Sequence, residues 1–158
     1  MTHRGLATSV RYLTGHARDG GWGQLDECIL HAGDPHTTLV VYMGLGTLPQ
    51  LTEQLVAAGM DPDTPAVAVE RGTTADQRVV FAPMGQLKDV TAAAAFKSPT
   101  LLVIGRVVAL ARGWRETGHG EVTSGRQVAY EDLDLGLLQG LQDGGRARQL
   151  PPAEGKLL

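Results

Sequence analysis

Two glycine-containing segments follow apolar runs, and they are the places where this sequence could hold a small molecule. Residues 39–42 (LVVY) end in Met43 and Gly44, and residues 66–69 (AVAV) end in a polar loop that contains Gly72. Glycine lets the backbone turn sharply or approach a ligand closely. In open α/β sheets, ligands bind in the crevice outside the carboxyl ends of the strands. Backbone groups in these two segments are therefore candidates for a ligand site.

A purely structural explanation of the same residues is equally open. A strand, a glycine turn and a helix follow one another in many α/β domains without a ligand, and the Gly44 and Gly46 pair lacks the third glycine of a dinucleotide-binding fingerprint. Met43 taken alone is more typical of core packing. His16, which follows the first predicted strand, is more typical of a surface turn than of a binding site.

Hydrophobic patterning predicts the elements that would position these turns. Strands are predicted at residues 9–14, 39–42, 66–69, 77–82 and 100–104, and helices at residues 24–31, 47–58 and 86–96. The fourth strand follows the third closely enough to pair with it as an antiparallel hairpin. Thr47 is the predicted N-cap of the second helix. The pattern therefore predicts an α/β fold, a mixed sheet of about five strands flanked by helices.

The composition changes near the end of this pattern. From Gly113 onward, glycine, arginine, glutamate and glutamine dominate and apolar residues are few. Such a segment buries too little apolar surface to offset the entropy of ordering it. We therefore predict one domain over residues 1–112 and a disordered tail over residues 113–158. Residues 133–141 could form only a weak helix, because glycines interrupt them.

Length, charge and cysteine content narrow the function classes. A chain of 158 residues is long enough for one domain with a core, and its net charge of −3 argues against a general nucleic-acid binder. No apolar run approaches the roughly 20 residues that span a bilayer, and no signal peptide is visible. The single Cys28 fits a reducing compartment and disfavours a thiolate metal site. We therefore expect a cytoplasmic protein with no membrane, nucleic-acid or metal partner.

Five separate segments of the chain resemble one family, the uroporphyrinogen-III C-methyltransferases of the tetrapyrrole methylase superfamily. The segments are residues 2–5 (THRG), 9–16 (SVRYLTGH), 39–44 (LVVYMG), 70–78 (ERGTTADQR) and 97–108 (KSPTLLVIGRVV). They occur in the family's order and with similar spacing. The resemblance implies that the chain corresponds to the carboxyl-terminal half of such an enzyme and folds as its carboxyl-terminal lobe.

The resemblance also implies a cofactor and a reaction. Enzymes of this family bind S-adenosylmethionine (SAM) between an amino-terminal and a carboxyl-terminal α/β domain. They methylate uroporphyrinogen III at two ring carbons to give precorrin-2, the precursor of sirohaem and cobalamin. By resemblance, Met43 and Gly44 contact the cofactor after one strand, and Gly72 and Thr73 contact it after the next. These are the two turns that glycine spacing indicates on its own.

The substrate of the family is a polycarboxylate, and the resembling segments contain four candidate partners for its carboxylates. They are Arg4, Arg11, His16 and Arg78. Arginine suits carboxylates because its planar guanidinium donates parallel hydrogen bonds. For Arg11 and Arg78, a solvated position on a strand is an equally good explanation. Arg71 stands where the family usually has asparagine, and it either reshapes the loop or reaches a substrate carboxylate.

The amino-terminal domain of the family has no counterpart in this sequence. That domain supplies a Gly-Pro-Gly-Asp-Pro loop, a Gly-Asp-Pro cofactor segment and the proposed acid–base residues, so we assign no catalytic residue. Gly33-Asp34-Pro35 is the nearest string, but it lies between a predicted helix and a predicted strand. We therefore expect a partial enzyme that binds SAM weakly and is inactive alone, and whose partner is the missing lobe or a second copy of the chain.

Two other functions fit the same sequence. One is a non-catalytic remnant that dimerises or binds a tetrapyrrole. The other is a different methylase of the superfamily, such as a precorrin or diphthine methylase. Residues 14–16 (TGH) and 72–78 (GTTADQR) favour the uroporphyrinogen enzyme.

Overall fold

The computed structural model of the protein describes residues 1–15 and 33–124. In chain order, the strands are β1 (Ser9–Thr14), β2 (Thr37–Tyr42), β3 (Pro65–Glu70), β4 (Arg78–Pro83), β5 (Thr100–Ile104) and β6 (Val122–Ser124). The helices are α1 (Leu48–Ala57), α2 (Met84–Ala93) and α3 (Arg112–Glu116), and Arg106–Leu110 forms a 3₁₀ turn. The predicted helix 24–31, Cys28 and His16 lie outside the described residues.

The described strands form one six-stranded sheet in the order β1-β2-β5-β3-β4-β6. β1 pairs with β2 in parallel, and every other neighbouring pair in this sheet is antiparallel. β2 and β3 both run antiparallel to β5, which lies between them, so β1, β2 and β3 end at the same edge of the sheet. We call this the carboxyl edge. The predicted α/β fold and the β3–β4 hairpin are confirmed, with six strands where we expected about five.

One face of the sheet packs against α1 and α2. The buried residues of α1 are Leu48, Leu51 and Leu55, which follow the three- and four-residue spacing of a helical stripe. Ala66 and Ala68 of β3 lie in the same core, and their small side chains leave room for the helices. Burying a leucine side chain contributes about 1.5–3 kcal/mol. This layer therefore fixes the positions of the strand ends that carry the candidate turns.

The opposite face is covered by the segment that follows β5. Phe81, Val103 and Val108 belong to a second buried cluster, and Trp114 of α3 packs against it. Gly113 lies so close to Phe81 that a Cβ there would come within 2.3 Å of the phenyl ring. α3 is therefore part of the packed domain.

The boundary predicted for the disordered tail was wrong for residues 113–124. α3 packs on the sheet, and β6 pairs with β4 as the sixth strand. The sequence signal was weak, because β6 has only 3 residues in a polar, glycine-rich context. A tail over residues 125–158 stays a prediction, since those residues lie outside the described part of the chain.

The bounds of α2 also differ from the prediction. The helix begins at Met84 and ends at Ala93, earlier at both ends than the predicted range 86–96. Ala95 has a φ of 50°, in the left-handed region, and this conformation ends the helix before Phe96. In the part of the chain that the structure describes, no helix is long and apolar enough to cross a membrane.

Candidate functional site

The carboxyl edge brings together the two predicted cofactor segments. Met43 directly follows β2 and Arg71 directly follows β3, while β5 lies between these strands. Neighbouring strands lie about 4.8 Å apart, so the two strand ends are separated by about 10 Å, which a nucleoside-sized ligand can bridge. The structure thus places Met43, Gly44, Gly72 and Thr73 along one edge of the sheet.

Met43 and Gly44 form a tight turn at the end of β2. Met43 is 60% exposed and has a φ of 53°. A left-handed conformation is uncommon for a residue other than glycine and costs about 1–3 kcal/mol. A Cβ on Gly44 would come within 2.7 Å of Cγ1 of Val41, so the turn needs glycine where it packs on the strand. The turn is therefore defined by the packing beneath it, while Met43 stays exposed.

The end of β1 packs against this turn, backbone to backbone. The N–H of Gly15 donates to the carbonyl oxygen of Tyr42 at 2.7 Å. A Cβ on Gly15 would lie 2.6 Å from the carbonyl oxygen of Met43, so this close approach also requires glycine. The turns after β1 and β2 are consequently one packed unit.

Thr47 connects the two turns. Its hydroxyl lies 3.0 Å from the carbonyl oxygen of Gly15 and 3.4 Å from that of Gly44. Thr47 occupies the predicted N-cap position of α1, but among the described residues its side chain makes no capping hydrogen bond to the helix. The predicted N-cap position is confirmed, but a capping bond needs the Thr47 oxygen to accept a helix N–H, and this side chain is turned toward the carbonyl groups of the two turns, to which it donates.

The loop after β3 is also held in an unusual conformation. Arg71 and Thr73 have φ values of 47° and 69° on either side of Gly72. The N–H of Arg71 donates to the carbonyl oxygen of Pro99 at 2.9 Å. The N–H of Thr73 donates to Oε1 of Gln77 at 2.7 Å. A left-handed conformation costs about 1–3 kcal/mol for each of these residues, and the two hydrogen bonds stabilise it. Gly72, which lies between them, is exposed.

A cleft of about 570 Å³ opens beside this loop, and we call it the ionic cleft. Charged residues from the loop, the strand ends and the segment after α2 line it: Glu70, Arg71, Asp76, Arg78 and Lys97. The guanidinium of Arg71 lies 3.8 Å from Oδ2 of Asp76, and these side chains are 47% and 78% exposed. An exposed pair of this kind contributes at most about 1 kcal/mol. A ligand carboxylate could therefore replace Asp76 beside Arg71 at little cost.

A smaller groove of about 240 Å³ lies beside the start of α1 and the last turn of α2. Leu45, Pro49 and Phe96 give it apolar walls. Phe96 borders this apolar groove and its neighbour Lys97 borders the ionic cleft, so the two depressions meet at the same segment. In residues 1–15 and 33–124, no cluster of three or more histidine, cysteine, aspartate or glutamate side chains is arranged to hold a metal ion.

Arg78, which was predicted to bind substrate, is engaged within the fold. Its guanidinium donates to Oε2 of Glu70 at 2.9 Å and to the carbonyl oxygen of Ala94. Its Cζ lies 4.7 Å from the centroid of the Phe96 ring. The Glu70 side chain is only 4% exposed and that of Arg78 is 31% exposed, so a buried carboxylate is paired with a partly exposed guanidinium. A substrate carboxylate would have to compete with Glu70 for Arg78.

The structure does not bring Arg4 to this edge. Arg4 is exposed, in the amino-terminal segment whose Met1 carbonyl accepts a hydrogen bond from the Thr38 hydroxyl at 2.8 Å. Thr38 is at the start of β2, and a strand of 6 residues is about 20 Å long. The segment therefore lies near the edge opposite the carboxyl edge. A substrate role for Arg4 stays a prediction without geometric support, and His16 lies outside the described residues.

The string 33–35 (GDP) forms a turn at the amino end of β2. Oδ1 of Asp34 accepts the N–H of His36 at 2.9 Å, and Oδ2 accepts the hydroxyl of Thr37 at 3.1 Å. The hydrogen bond from the His36 backbone is the main reason that the pKa of Asp34 lies below its ordinary value. This carboxylate is a structural cap at the opposite edge, away from the candidate cofactor turns.

Glu70 and Thr47 are the residues whose roles the sequence analysis missed. For Glu70 a signal was present, because it and Arg78 flank the hairpin loop and face each other in the strand register. Opposite charges at such paired positions indicate a cross-strand ion pair. Thr47 carried no comparable signal, since its contact with Gly15 exists only when the sheet places β1 beside β2.

Comparison with known proteins decides the family. The sequence pattern of the Tetrapyrrole (Corrin/Porphyrin) Methylases matches residues 2–88, which is more than half of the chain. The chain belongs to the tetrapyrrole methylase family. The matched region of this tetrapyrrole methylase includes β1 to β4, and therefore both turns of the carboxyl edge.

Two curated relatives show how much of a tetrapyrrole methylase is present. The chain is 56% identical over 114 residues to the chloroplastic S-adenosyl-L-methionine-dependent uroporphyrinogen III methyltransferase of Arabidopsis thaliana, a match that covers 72% of this chain and 31% of the relative. It is 44% identical over 110 residues to the siroheme synthase of Methylococcus capsulatus, covering 70% of this chain and 23% of the relative. The chain thus spans between 23% and 31% of the length of these relatives.

Solved structures agree with the fold. The native uroporphyrin-III C-methyl transferase of Thermus thermophilus matches with a TM-score of 0.59 at 32% identity, over 70% of this chain and 46% of that chain. The same enzyme complexed with S-adenosylhomocysteine (SAH) matches with a TM-score of 0.57 at 32% identity, and this match covers 68% of this chain and 46% of that chain. The predicted family and the predicted methylase fold are therefore confirmed, for a chain that corresponds to part of such an enzyme.

Proposed function

We propose that this chain is one half of a SAM-dependent uroporphyrinogen-III C-methyltransferase, and that it supplies two backbone turns of the cofactor site. The observation that carries the proposal is the common position of Met43–Gly44 and Gly72–Thr73 at the carboxyl edge. Both turns contain left-handed residues, which packing holds at Met43 and hydrogen bonds hold at Arg71 and Thr73. A backbone formed in advance in this way binds a ligand at a lower cost of ordering.

The residues at these turns fit SAM. Its adenosine and methionine parts need backbone hydrogen-bonding groups beside an apolar wall, and Leu45, Pro49 and Phe96 supply that wall. When bound, SAM supplies an electrophilic methyl group. The task of the protein is then to hold the methyl group in line with the acceptor carbon and to exclude water.

The ionic cleft is the proposed contact for the carboxylates of uroporphyrinogen III. Arg71 and Lys97 border it and are exposed, whereas Arg78 is held by Glu70. Arg71 stands at the position where the family usually has asparagine, and its guanidinium can donate two parallel hydrogen bonds to one carboxylate. Arg71 is therefore the direct candidate for substrate recognition in the described residues. We assign no catalytic acid or base.

The rest of the site must come from a second lobe. Small-molecule pockets bury about 70–90% of the ligand surface, and a single sheet edge leaves much of a ligand in water. Losing several backbone hydrogen bonds at about 1 kcal/mol each weakens binding by a few powers of ten, since about 1.4 kcal/mol is tenfold. The amino-terminal lobe of the family is the proposed partner. The cytoplasm is the expected compartment, although the Arabidopsis relative is named chloroplastic.

A second candidate function, dimerisation without catalysis, is favoured by one surface. Tyr12 and Tyr42 are 65% and 51% exposed, and their rings stack with centroids 6.4 Å apart. With Met43 they form an exposed apolar patch at the ends of β1 and β2. Exposed apolar patches mark contacts with another protein surface. This patch suits either the missing lobe or a second copy of the chain.

Reconstitution tests the proposal. The chain is mixed with the separately expressed amino-terminal lobe of a tetrapyrrole methylase, SAH binding is measured by calorimetry, and precorrin-2 formation is followed by absorbance. We expect weak binding and no turnover by the chain alone, and a gain of both on adding the lobe. Gly72→Val should abolish the gain, whereas Gly118→Val, in the connection between α3 and β6, should preserve it. A chain that dimerises and gains nothing from the lobe supports the second candidate and contradicts the first.

A further inference from the structure

Glu70 ends β3 at the base of the Gly72 loop, and Arg78 begins β4 where the loop returns. The two residues are directly opposite each other in the antiparallel ladder. Oε2 of Glu70 accepts a hydrogen bond from Arg78 at 2.9 Å, and Oε1 accepts one from the backbone N–H of Lys97 at 2.7 Å. Both oxygens of this buried carboxylate are therefore occupied by donors from two different segments.

Arg78 extends the same connection to α2. Its guanidinium also donates to the carbonyl oxygen of Ala94, at the carboxyl end of the helix, and lies over the ring of Phe96. The last turn of α2 contains no basic residue of its own. A cation at a helix C-terminus is favourable because the last carbonyl groups carry partial negative charge. Arg78 thus neutralises a buried carboxylate and caps a helix at the same time.

The segment after α2 links this connection back to the loop. Lys97 donates its N–H to Glu70, and two residues later the carbonyl oxygen of Pro99 accepts the N–H of Arg71 at 2.9 Å. Arg71 and Thr73 are the left-handed residues of the loop. Glu70 is therefore linked to the loop in two ways. It directly precedes the loop in the chain, and its hydrogen bond to Lys97 holds the segment after α2 that in turn binds Arg71.

We propose that Glu70 and Arg78 are positioning residues for the cofactor contacts at Gly72 and Thr73, a role that rests on the proposed function. A partly buried ion pair of this kind adds little net stability, because the cost of desolvating its charges offsets their attraction. Its effect here is geometric: it fixes where a strained loop begins and ends, so that the loop backbone is formed before the ligand arrives. Removing Arg78 leaves the buried Glu70 carboxylate unpaired, and removing the Glu70 charge takes away the acceptor that holds Arg78, so in either case the loop relaxes.

Glu70→Gln tests this role with almost no change in size. Its amide oxygen can still accept the N–H of Lys97, but its NH₂ group cannot accept a hydrogen bond from Arg78. Arg78→Lys keeps the positive charge and loses the second donor to Ala94, so we expect it to have an intermediate effect. The variants thus separate charge from geometry at the base of the loop.

Two control variants match these changes elsewhere in the chain. Leu51→Val removes a methylene group from a fully buried side chain of α1 and lowers overall stability without touching the loop. Glu116→Gln breaks the exposed ion pair between Arg112 and Glu116, whose atoms are 2.6 Å apart. Neither control lies in the segments that Glu70 and Arg78 connect.

Two measurements separate positioning from stability. Amide hydrogen exchange at Arg71 and Thr73 reports the loop without ligand, and an NMR titration with SAH reports affinity even when binding is weak. We expect Glu70→Gln to lose the exchange protection of both amides and to weaken SAH binding about tenfold or more. Leu51→Val and Glu116→Gln should retain the exchange protection of these amides and the wild-type affinity for SAH.

Wild-type protection and affinity in Glu70→Gln, or an equal loss in Leu51→Val, would overturn the proposal. A different result would overturn the proposed function. In that case the exchange protection of the Arg71 and Thr73 amides would depend on Glu70, but SAH would not shift the amide signal of Gly72 in the wild-type chain. The loop geometry would then stand and the cofactor role would not.

Discussion

Replacing Gly44 with alanine tests whether packing beneath the Met43 turn defines the candidate site. A Cβ at Gly44 would lie 2.7 Å from Cγ1 of Val41 and 3.1 Å from Cδ1 of Leu102. Both neighbours are fully buried, so they can move only by disturbing the core. Overpacking of this kind costs about 1–3 kcal/mol. Each kcal/mol lowers the melting temperature of a small domain by about 4–8 °C.

Gly46→Ala is the matched control, because a Cβ there would meet no heavy atom of the described residues within 4 Å. It should leave the melting temperature unchanged or raise it slightly, since alanine restricts the unfolded chain. Val41→Ala removes the atom that clashes, so the double variant with Gly44→Ala should be less destabilised than the sum of the single variants. Thermal and urea denaturation followed by circular dichroism measure the wild type and the four variants. Equal stability of Gly44→Ala and Gly46→Ala, or strict additivity in the double variant, would refute the clash.

Substitutions at three further positions test other contacts. Thr47→Val removes the hydroxyl that donates to Gly15, so we expect it to lower the free energy of unfolding in urea by about 0.5–1.5 kcal/mol. Thr47→Ser keeps the hydroxyl and should lower it less. An equal loss in the two variants would contradict a stabilising role for this hydrogen bond. Gly113→Ala should destabilise the chain by about 1–3 kcal/mol through its clash with Phe81, and a neutral result would return residue 113 to a disordered tail. The folded-state pKa of Asp34 is lowered, so its carboxylate stabilises the fold above its ordinary pKa, and this stabilisation is lost as the pH falls through the lowered value. The wild type should thus have a higher free energy of unfolding than Asp34→Asn at neutral pH, and this difference should vanish in acid. A difference that persists in acid would contradict a stabilising role for the ionised carboxylate.

The fold was predictable where a local pattern and burial agree. The strands at residues 9–14 and 100–104 have the predicted bounds, because alternation or an apolar run ends there at turn-forming residues. The bounds were wrong where a distant contact decides them. α2 ends early where Ala95 is left-handed and Arg78 of β4 donates to the carbonyl oxygen of Ala94, and β6 forms because β4 offers an edge for pairing. Local propensity carries no information about such a partner.

The candidate site was predictable to the level of its two turns. Glycine spacing indicated them, and the resemblance supplied a cofactor role. The sequence could not show how the Met43 turn is held, because its contact with Gly15 joins residues that only the pairing of β1 with β2 brings together. The ion pair of Glu70 did have a signal in the predicted hairpin, but the sequence does not show that the carboxylate is buried. Arg78 shows the consequence: an arginine predicted to face substrate is held by a buried carboxylate on the neighbouring strand.

The most direct test of the central claim, that the carboxyl edge holds the cofactor, is an NMR titration of the ¹⁵N-labelled chain with SAH. We predict that the amide signals of Met43, Gly44, Gly72 and Thr73 shift along one weak saturation curve, while those of the Asp34 turn at the opposite edge stay in place. Shifts confined to the Asp34 turn, or no shift of the four carboxyl-edge amides at high ligand concentration, would contradict this assignment.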